Sequence, residues 1–201
     1  MKSKVIVIGE VHGTKESPEF VFGLAKAIRK QGHLVEIAFE LPKVEELIWR
    51  DFSKTKNRKI LLKSNTASQK AEDQDGRTSE AMARLLIQLN QKNFPFHFFD
   101  TISAKTSQER DEQMAKNIVD VIPKASKSNL IVLTGNIHSR LTKGLKWNPS
   151  FRPFAYILSS TGKKEGFSVT SIDIKYSGGT MWICTDMGCG NTPSGPIKDF
   201  F

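Results

Sequence analysis

A carboxylate and an imidazole follow the first apolar run of the sequence at a spacing of two residues. The run Val5-Ile6-Val7-Ile8 leads directly into Gly9-Glu10-Val11-His12-Gly13. Residues i and i+2 of a strand project to the same side, so Glu10 and His12 face one centre while the strand conformation persists. A histidine beside an acid is suited to proton transfer or to metal binding. A single such histidine is more often an ordinary loop residue, so the interpretation depends on the other strand ends.

Groups of the same kind follow three further predicted strands. Glu40 ends the second strand, Asp100 ends the third, and Asn136 and His138 follow the fourth. The carboxyl ends of parallel strands converge on one crevice, where ligands bind in sheets of this kind. We therefore predict that these residues share one site with the first pair. The structural alternatives are that Glu40 caps the next helix, that His138 begins a helix, and that Asp100 serves as a cap or ion-pair partner.

Two arginines are placed to reach the same site. Arg110 lies four residues before Met114 and eight before Ile118, on the apolar stripe of its helix and near the end that faces the site. Arg77 immediately precedes another predicted helix. A guanidinium in either place is suited to binding a carboxylate or an anionic group of a substrate. The alternative for each arginine is an ordinary ion pair with one of the acids at the strand ends.

The elements that must position these residues alternate between strand and helix. Apolar and β-branched runs predict strands over residues 4–9, 34–40, 96–100 and 130–134. The intervening helices are predicted to begin at Ser17 as N-cap with Pro18, near Val44, at Thr78 as N-cap, and at the capping box Thr106-Ser-Gln-Glu109. This alternation favours right-handed crossovers and a three-layer αβα sandwich with a mostly parallel central sheet. The first strand, which is apolar on both faces, is expected to be central in that sheet.

The rest of the chain is less regular. Residues 53–76 are polar and rich in lysine, and they predict a loop or an irregular helical excursion. Residues 154–183 predict two or three strands that extend one edge of the sheet, with an antiparallel edge near the C-terminus. With 201 residues and 38% hydrophobic content, the chain is expected to form a single domain over residues 1–201.

Composition bears on partners and compartment. The net charge of +9 suits an anionic partner but equally well keeps a protein soluble. No apolar run approaches the roughly 18 residues that a membrane span requires, and no signal peptide precedes the first strand. We therefore expect a cytoplasmic protein. If a leader has been removed, the compartment is periplasmic or extracellular, and Cys184 and Cys189 are then expected to form a disulfide.

The sequence resembles the erythromycin esterase, ChaN-like and Tiki superfamily, and most closely a small bacterial ChaN-like protein. The motifs that carry the resemblance are Gly9-Glu10-Val11-His12-Gly13-Thr14-Lys15-Glu16, Glu40, Asp75-Gly76-Arg77-x-Ser79, Arg110-Asp111 with Met114-Ala115, and Gly135-Asn136-Ile137-His138. The resemblance covers most of residues 4–175. It implies a central sheet flanked by helices, with two histidines and two glutamates in one pocket. Members act as esterases or metal-dependent proteases or are linked to haem binding, so the resemblance indicates the site more closely than the substrate.

The preferred interpretation is a hydrolase. His12 takes a proton from water, Glu10 or Glu40 fixes its tautomer, and His138 with Arg110 stabilises the charge on the attacked carbonyl or phosphoryl oxygen. The residues assigned to substrate binding are Arg77, Asn136, Glu16 and Asp100. The expected substrate is a small molecule or a peptide.

Two alternatives involve a cofactor. In one, a divalent zinc, manganese, cobalt or iron ion is bound by His12, His138, Glu10 and Glu40 and acidifies the attacking water. In the other, the protein binds haem or a metal ion through His12 or His138 and performs no catalysis. The lysine-rich stretch 54–70 contains no recognised DNA- or RNA-binding motif, so no specific nucleic-acid partner is expected. The oligomeric state stays open.

Overall fold

The computed structural model contains a five-stranded parallel sheet flanked by helices and a separate two-stranded antiparallel sheet near the C-terminus. It describes residues 4–68, 74–123, 128–185 and 188–194, with side chains for all of these except 183–185, 188, 189 and 194. The strands are β1 (Lys4–Glu10), β2 (Leu34–Pro42), β3 (Phe96–Asp100), β4 (Ser128–Gly135), β5 (Ser168–Asp173), β6 (Gly179–Thr185) and β7 (Gly188–Ser194). The helices are α1 (Glu16–Lys30), α2 (Glu46–Thr55), α3 (Glu80–Gln91), α4 (Ser107–Val121) and α5 (Phe154–Glu165).

The central sheet has the strand order β3-β2-β4-β1-β5, and every neighbouring pair is parallel. β1 lies between β4 and the edge strand β5, so it is covered on both sides, but the central position predicted for it is occupied by β4. After β2 the chain continues to the edge strand β3, and after β4 it continues to β5 at the opposite edge. The loops after these two adjacent strands therefore diverge, which opens a crevice at their carboxyl ends.

Helices cover both faces of the sheet, so the predicted three-layer fold class is confirmed. The side chains of successive strand residues alternate between the two faces, and each set packs against its own helices. Buried residues on the face covered by α1, α2 and α3 include Ile37, Phe39, Phe98, Trp49 and Leu86. Buried residues on the face covered by α4 and α5 include Val7, Val132, Phe99, Met114 and Phe154.

The segment 154–183 differs from its prediction as two or three strands. Its first part is helix α5, whose residues Phe154, Ala155 and Leu158 are fully buried. That spacing of i, i+1 and i+4 is a helical stripe, which outweighed the local β-branched and aromatic content. The helix ends at Gly166, which adopts the left-handed conformation typical of a helix C-terminus, with φ of 83°.

The antiparallel strands are a separate hairpin and do not form an edge of the central sheet. β5 completes that sheet by pairing in parallel with β1, and β6 pairs only with β7. The backbone N–H of Trp182 in β6 donates to the carbonyl of Gly13, 3.2 Å away, so the hairpin lies against the loop that follows β1. Cys184 and Cys189 are opposite one another in this hairpin. Their predicted disulfide concerns side chains outside the described residues.

Two of the three predicted helix caps differ from the structure. α1 begins at Glu16, with Lys15 as N-cap, so Ser17 lies in the first turn and is not the cap. α3 is capped by Ser79, whose hydroxyl accepts from a backbone N–H 3.3 Å away, and not by Thr78. Thr106 caps α4 as predicted.

The remaining helical segments are short. Residues Arg58–Lys63 form a 3₁₀ helix within the segment predicted as a loop or irregular helical excursion. The longest helices, α1 and α4, have 15 residues. Across the described ranges, none of the helices has both the length and the apolar character needed to span a bilayer.

Candidate functional site

A buried glutamate, Glu40, lies at the centre of the residues that the strand ends bring together. The pairing of β2 with β3 is irregular between Phe39 and Pro42, and such bulges change the direction of a side chain. Oε2 of Glu40 accepts from the hydroxyl of Thr134 at 2.6 Å and from the backbone N–H of Gly135 at 2.8 Å. These bonds, made by β4, hold the carboxylate in one orientation.

The two predicted histidines lie on either side of this carboxylate. Nε2 of His12 is 3.8 Å from Oε2 of Glu40, and Nε2 of His138 is 3.7 Å from Oε1. His12 follows β1 and His138 follows β4, and these strands are adjacent with Glu10 opposite Gly135. Residues from distant parts of the chain therefore meet at one point of the sheet edge.

Each imidazole is held at Nδ1 by an acid of its own. Nδ1 of His12 lies 3.0 Å from Oε1 of Glu10. Nδ1 of His138 is hydrogen-bonded to Oδ2 of Asp111 at 3.0 Å; Oδ1 is nearer, at 2.8 Å, but lies off the hydrogen-bond direction. Both nitrogens Nε2 are consequently directed toward the shared glutamate.

Asp111 is a site residue to which the sequence interpretation gave no role, although it belongs to the Arg110-Asp111 motif. It is fully buried, on the inner face of α4 directly after Arg110. The available signal was its position three residues before the buried Met114, which places an acid on the apolar stripe of the helix. A buried carboxylate requires a partner, and that requirement points to a nearby cation or donor.

Asp100 joins the two predicted arginines. It accepts from Nε of Arg110 at 2.8 Å and from Nη2 at 2.7 Å, a bidentate pairing, and from Nη1 of Arg77 at 2.6 Å. Nη2 of Arg110 also donates to Oε1 of Glu40 at 2.5 Å, and Nη1 of Arg77 lies 3.7 Å from the same oxygen. Both arginines therefore belong to the site and also form the ion pairs that were considered as the alternative.

The two guanidinium groups differ in how many of their N–H groups are engaged. Nη1 of Arg110 lies 3.2 Å from Nε2 of His138, so all three of its nitrogens contact the site. Arg77 uses Nε on Asp75 and Nη1 on Asp100 and the Glu40 carbonyl. Within the part of the chain that the structure describes, Nη2 of Arg77 makes no hydrogen bond.

Charge within the site shifts the pKa of its members in opposite directions. Burial by itself lowers the pKa of His12, but the hydrogen bond to Glu10 and the charges of Glu40 and Glu10 outweigh it, so the pKa is raised above 6.5. The pKa of His138 is raised in the same way, against burial, by Glu40 and Asp111. Burial acts to raise the pKa of Glu40, but the two imidazoles and two guanidiniums hold it well below 4.5. Glu40 therefore stays ionised and acts as their common counter-ion.

Two further predicted residues lie at the border of this cluster or outside it. The backbone N–H of Asn136 donates to the carbonyl of Glu10 at 2.9 Å, while its side chain is half-buried. Glu16 is exposed in the first turn of α1 and, among the described residues, forms no hydrogen bond or ion pair with the cluster. The structure does not bring Glu16 together with the other predicted residues.

A cleft of about 360 Å³ lies beside the loop that carries His12. The residues that line it include Gly13, Lys15, Thr78, Glu80 and Trp182. Gly13 has φ of 83°, and a Cβ at this position would overlap the carbonyl oxygen of Trp182, so glycine permits the hairpin to approach the loop. Gly13 and Thr78 directly follow His12 and Arg77 in the chain, which places the cleft next to the cluster.

The cluster does not fit the arrangement of a metal centre. In the described ranges, no group of three or more histidine, cysteine, aspartate or glutamate side chains is arranged to hold a metal ion. Both oxygens of Glu40 accept hydrogen bonds, and Glu10 is engaged by His12. Two guanidinium cations are also directed at the carboxylate of Glu40, one of the two carboxylates of the predicted ligand set. The predicted ligand set of His12, His138, Glu10 and Glu40 is therefore not arranged to hold a metal ion.

Comparison with known proteins identifies relatives by fold. No protein-family model and no curated protein sequence matches the chain. Its structure is similar to the haem-binding ChaN of Campylobacter jejuni, with a TM-score of 0.55 and 14% identity over 87% of this chain and 82% of that protein. It is also similar to the C-terminal region of Pasteurella multocida toxin, which has a thiol-protease-like catalytic triad, with a TM-score of 0.54 and 11% identity over 97% of this chain.

A third similar structure is RRSP, a MARTX toxin effector domain from Vibrio vulnificus CMCP6, with a TM-score of 0.50 and 14% identity over 96% of this chain. This chain spans 24% of the Pasteurella protein and 35% of the Vibrio protein. At these identities the likeness is one of fold. It supports the predicted fold relationship with ChaN and gives no support specific to the erythromycin esterases.

The two histidines differ in their fit to a haem iron. An axial ligand needs an imidazole nitrogen whose lone pair is directed at the metal. Nε2 of His138 is engaged by Arg110, and that of His12 lies near Glu40 without a hydrogen bond. His138 therefore does not fit as an axial ligand in this arrangement, because Arg110 occupies the lone pair of its Nε2. His12 fits as far as the lone pair of its Nε2 is concerned, but charged groups surround this nitrogen.

Proposed function

We propose that the protein is a hydrolase that activates water with His12 against an ester, amide or related bond. The observation that carries this proposal is the contrast between the two nitrogens of His12. Nδ1 is held by Glu10 at 3.0 Å, while Nε2 lies 3.8 Å from Glu40, beyond hydrogen-bond distance. A tautomer with its proton on Nδ1 leaves the lone pair of Nε2 able to accept a proton from water.

Glu10 is assigned the role of fixing this tautomer. As the Nδ1–H group donates to the carboxylate, the imidazole is oriented before the reaction and its positive charge is stabilised once a proton is taken up. The sequence interpretation left this role to Glu10 or Glu40. The distances favour Glu10, since Glu40 lies near Nε2 and is itself bound by three donors.

The arginines are assigned to the oxygen on which charge develops. Arg77 offers two N–H groups at Nη2, and its other nitrogens are fixed by Asp75, Asp100 and the Glu40 carbonyl. A donor fixed in advance stabilises a developing oxyanion without reorganisation during the reaction. Arg110 completes the positive side of the site, and His138 holds it there through Nε2. The neighbouring cleft would bind the remainder of a small-molecule or peptide substrate.

The experiment that tests the proposal compares wild-type protein with His12→Gln and a matched control, His33→Gln. His33 precedes β2, at the opposite end of that strand from Glu40. The probes are p-nitrophenyl acetate and a set of peptide p-nitroanilides. Turnover that falls at least about 10²-fold in His12→Gln and is unchanged in His33→Gln supports the proposal. The hydrolysis rate should rise with pH as the His12 imidazole loses its proton. Because the pKa of His12 is raised above 6.5, the rise should occur above that pH. Equal rates in all three proteins contradict the proposal.

Haem binding is the second candidate, and the shared fold with ChaN favours it. Because His138 is engaged by Arg110, His12 would have to supply the axial nitrogen. The test is an absorption titration with haem. A band shift that is lost in His12→Gln but kept in His33→Gln would support this function, whereas identical spectra in all three proteins would exclude ligation by His12.

A further inference from the structure

Two consecutive residues of helix α4 form hydrogen bonds with the two ring nitrogens of His138. Arg110 reaches Nε2 through Nη1 at 3.2 Å, and Asp111 reaches Nδ1 through Oδ2 at 3.0 Å. A guanidinium group donates hydrogen bonds and cannot accept them. Nε2 of His138 must therefore be the acceptor in this contact, and the single proton of the neutral ring must lie on Nδ1, facing Asp111.

The first turn of helix α5 holds Asp111 in place. The backbone N–H of Phe154 donates to Oδ2 of Asp111 at 2.7 Å, and the next N–H, of Ala155, donates to the carbonyl of His138 at 2.9 Å. Asp111 is fully buried, so solvent offers it no alternative partner. The imidazole, its acid and the helix terminus thus form one rigid unit behind the cluster.

We infer that Asp111 is the positioning residue of His138, and that it places the proton on Nδ1 so that Nε2 can hold Arg110. Asp111 does not contact the reacting groups of the proposed hydrolysis and acts on them through His138. The inference about the tautomer stands on geometry alone, while its effect on turnover rests on the proposed function.

Asp111→Leu separates this role from the contact with Arg110. Oδ2 of Asp111 accepts from both Phe154 N–H and Nδ1 of His138, so Asp111→Asn with its amide oxygen in that place keeps both bonds and the tautomer. Asp111→Leu keeps a side chain of similar size and offers Nδ1 no acceptor. If Asp111 places the proton, this variant shifts it to Nε2, which removes the acceptor for Arg110.

The measurement is long-range ¹H–¹⁵N NMR of the imidazoles at a pH above that at which His138 titrates. The chain has four histidines, so the ring signals are few. Wild-type His138 should carry its proton on Nδ1, and Asp111→Leu should move it to Nε2. The matched control is Glu36→Leu, which removes the acceptor beside His97, where Nε2 of the ring lies 2.7 Å from the carboxylate. The control should leave the His138 signals unchanged.

Three outcomes decide the inference. A wild-type His138 with its proton on Nε2 overturns it without any variant, so the test survives if Asp111→Leu fails to fold. An unchanged tautomer in folded Asp111→Leu also overturns it, because Asp111 is then not what places the proton. The expected tautomer change supports it, and probe hydrolysis should then fall about 10- to 100-fold, as for other residues that orient a site histidine. If the tautomer changes but wild-type protein hydrolyses no probe, the proposed function fails and the positioning role stands.

Discussion

Nε2 of His12 lies 3.8 Å from Oε2 of Glu40. The Glu40 side chain is only 4% exposed, and its carboxylate accepts hydrogen bonds from donors of β4 and α4. The other oxygen of the same carboxylate lies 3.7 Å from Nε2 of His138. One buried glutamate therefore faces two imidazoles and is the negative centre of the cluster. The consequences of this arrangement can be measured through ionisation, stability and turnover.

Replacement of Glu40 by glutamine should lower the pKa of both His12 and His138, because the charge that favours their protonated forms is lost. NMR titration of the four imidazoles measures this directly. The matched control is Glu45→Gln, a second buried glutamate, which is bound by Ser64 and Thr66 outside the cluster. The control should leave both titrations in place. Unchanged histidine titrations in Glu40→Gln would mean that Glu40 is not their counter-ion.

Stability should be greatest between about pH 4.5 and 6.5. The pKa of His12 and His138 is raised on folding, so their contribution is complete below 6.5 and is lost as the pH rises through their folded values. The pKa of Glu40 is lowered, so its contribution is present above 4.5 and is lost as the pH falls through its folded value. Urea unfolding across this range measures the profile. A free energy of unfolding that rises steadily from pH 6 to pH 9 would contradict the assignment.

Gly135→Ala should displace His12 from Glu40. A Cβ at position 135 would lie 3.1 Å from Nε2 of His12 and 3.6 Å from Cδ2 of His138, which is tighter than ordinary contact for the first ring. Probe hydrolysis should fall at least tenfold, since small displacements in a site are costly. Gly23→Ala is the control, because a Cβ there meets nothing within 4 Å. It should raise stability by about 0.5–1 kcal/mol, as expected within a helix. Equal loss in both variants would argue against a local effect.

Arg110→Lys should lower the free energy of unfolding, although the positive charge is kept. Lysine cannot reproduce the bidentate contact with Asp100 together with the contacts to Glu40 and His138. We expect a loss of about 2 kcal/mol of stability from the broken charge-assisted hydrogen bonds. Probe hydrolysis should also fall about 10²-fold. Arg152→Lys makes the same change in an exposed pair with Glu112 and should cost no more than about 0.5 kcal/mol. Denaturant unfolding and initial rates of the two variants measure the difference.

Two adjacent hydroxyl residues before helix α3 provide a test of the capping assignment. Ser79→Ala should cost about 1 kcal/mol, since the Ser79 hydroxyl accepts the backbone N–H of Met82. Thr78→Ala removes a hydroxyl that is not the cap and should leave the melting temperature close to that of the wild type. A larger loss in the Thr78 variant would restore the cap predicted from the sequence.

Much of the layout was predictable from local patterns. The apolar runs before Glu10, Glu40 and Asp100 end close to where their strands end, because a covered parallel strand requires continuous apolar side chains. The Thr106 hydroxyl caps α4 as predicted by accepting from the Glu109 N–H, since this contact depends on residues three positions apart. The Glu109 carboxylate accepts from the Lys105 N–H and not from that of Thr106, so the return bond of the predicted capping box is displaced by one residue. The alternation of strand and helix then placed the acids and histidines on one edge, by the rule for parallel crossovers.

Other features could not be predicted in this way. The residues of α5 predict strands because their β-branched and aromatic side chains fit either element, and burial of the Phe154, Ala155 and Leu158 stripe against α4 and β5 favours the helix. Glu16 belongs to the same motif as His12, yet it lies exposed on α1, since proximity in the chain does not determine which way a helical side chain points. The position of the hairpin against Gly13 depends on a contact across about 170 residues.

By itself, the amino-acid sequence determined which residues end each strand and therefore which chemical groups reach the crevice, because strand propensity and side-chain alternation act over a few residues. Only the tertiary structure decided how these groups pair. Glu10 holds His12, Asp111 holds His138, and Glu40 faces both while bound to Arg110. These partnerships join β1, β2, β4 and α4, so they depend on strand order and on the rotation of α4 against the sheet. Both are set by packing of the whole core, which no short stretch of sequence encodes.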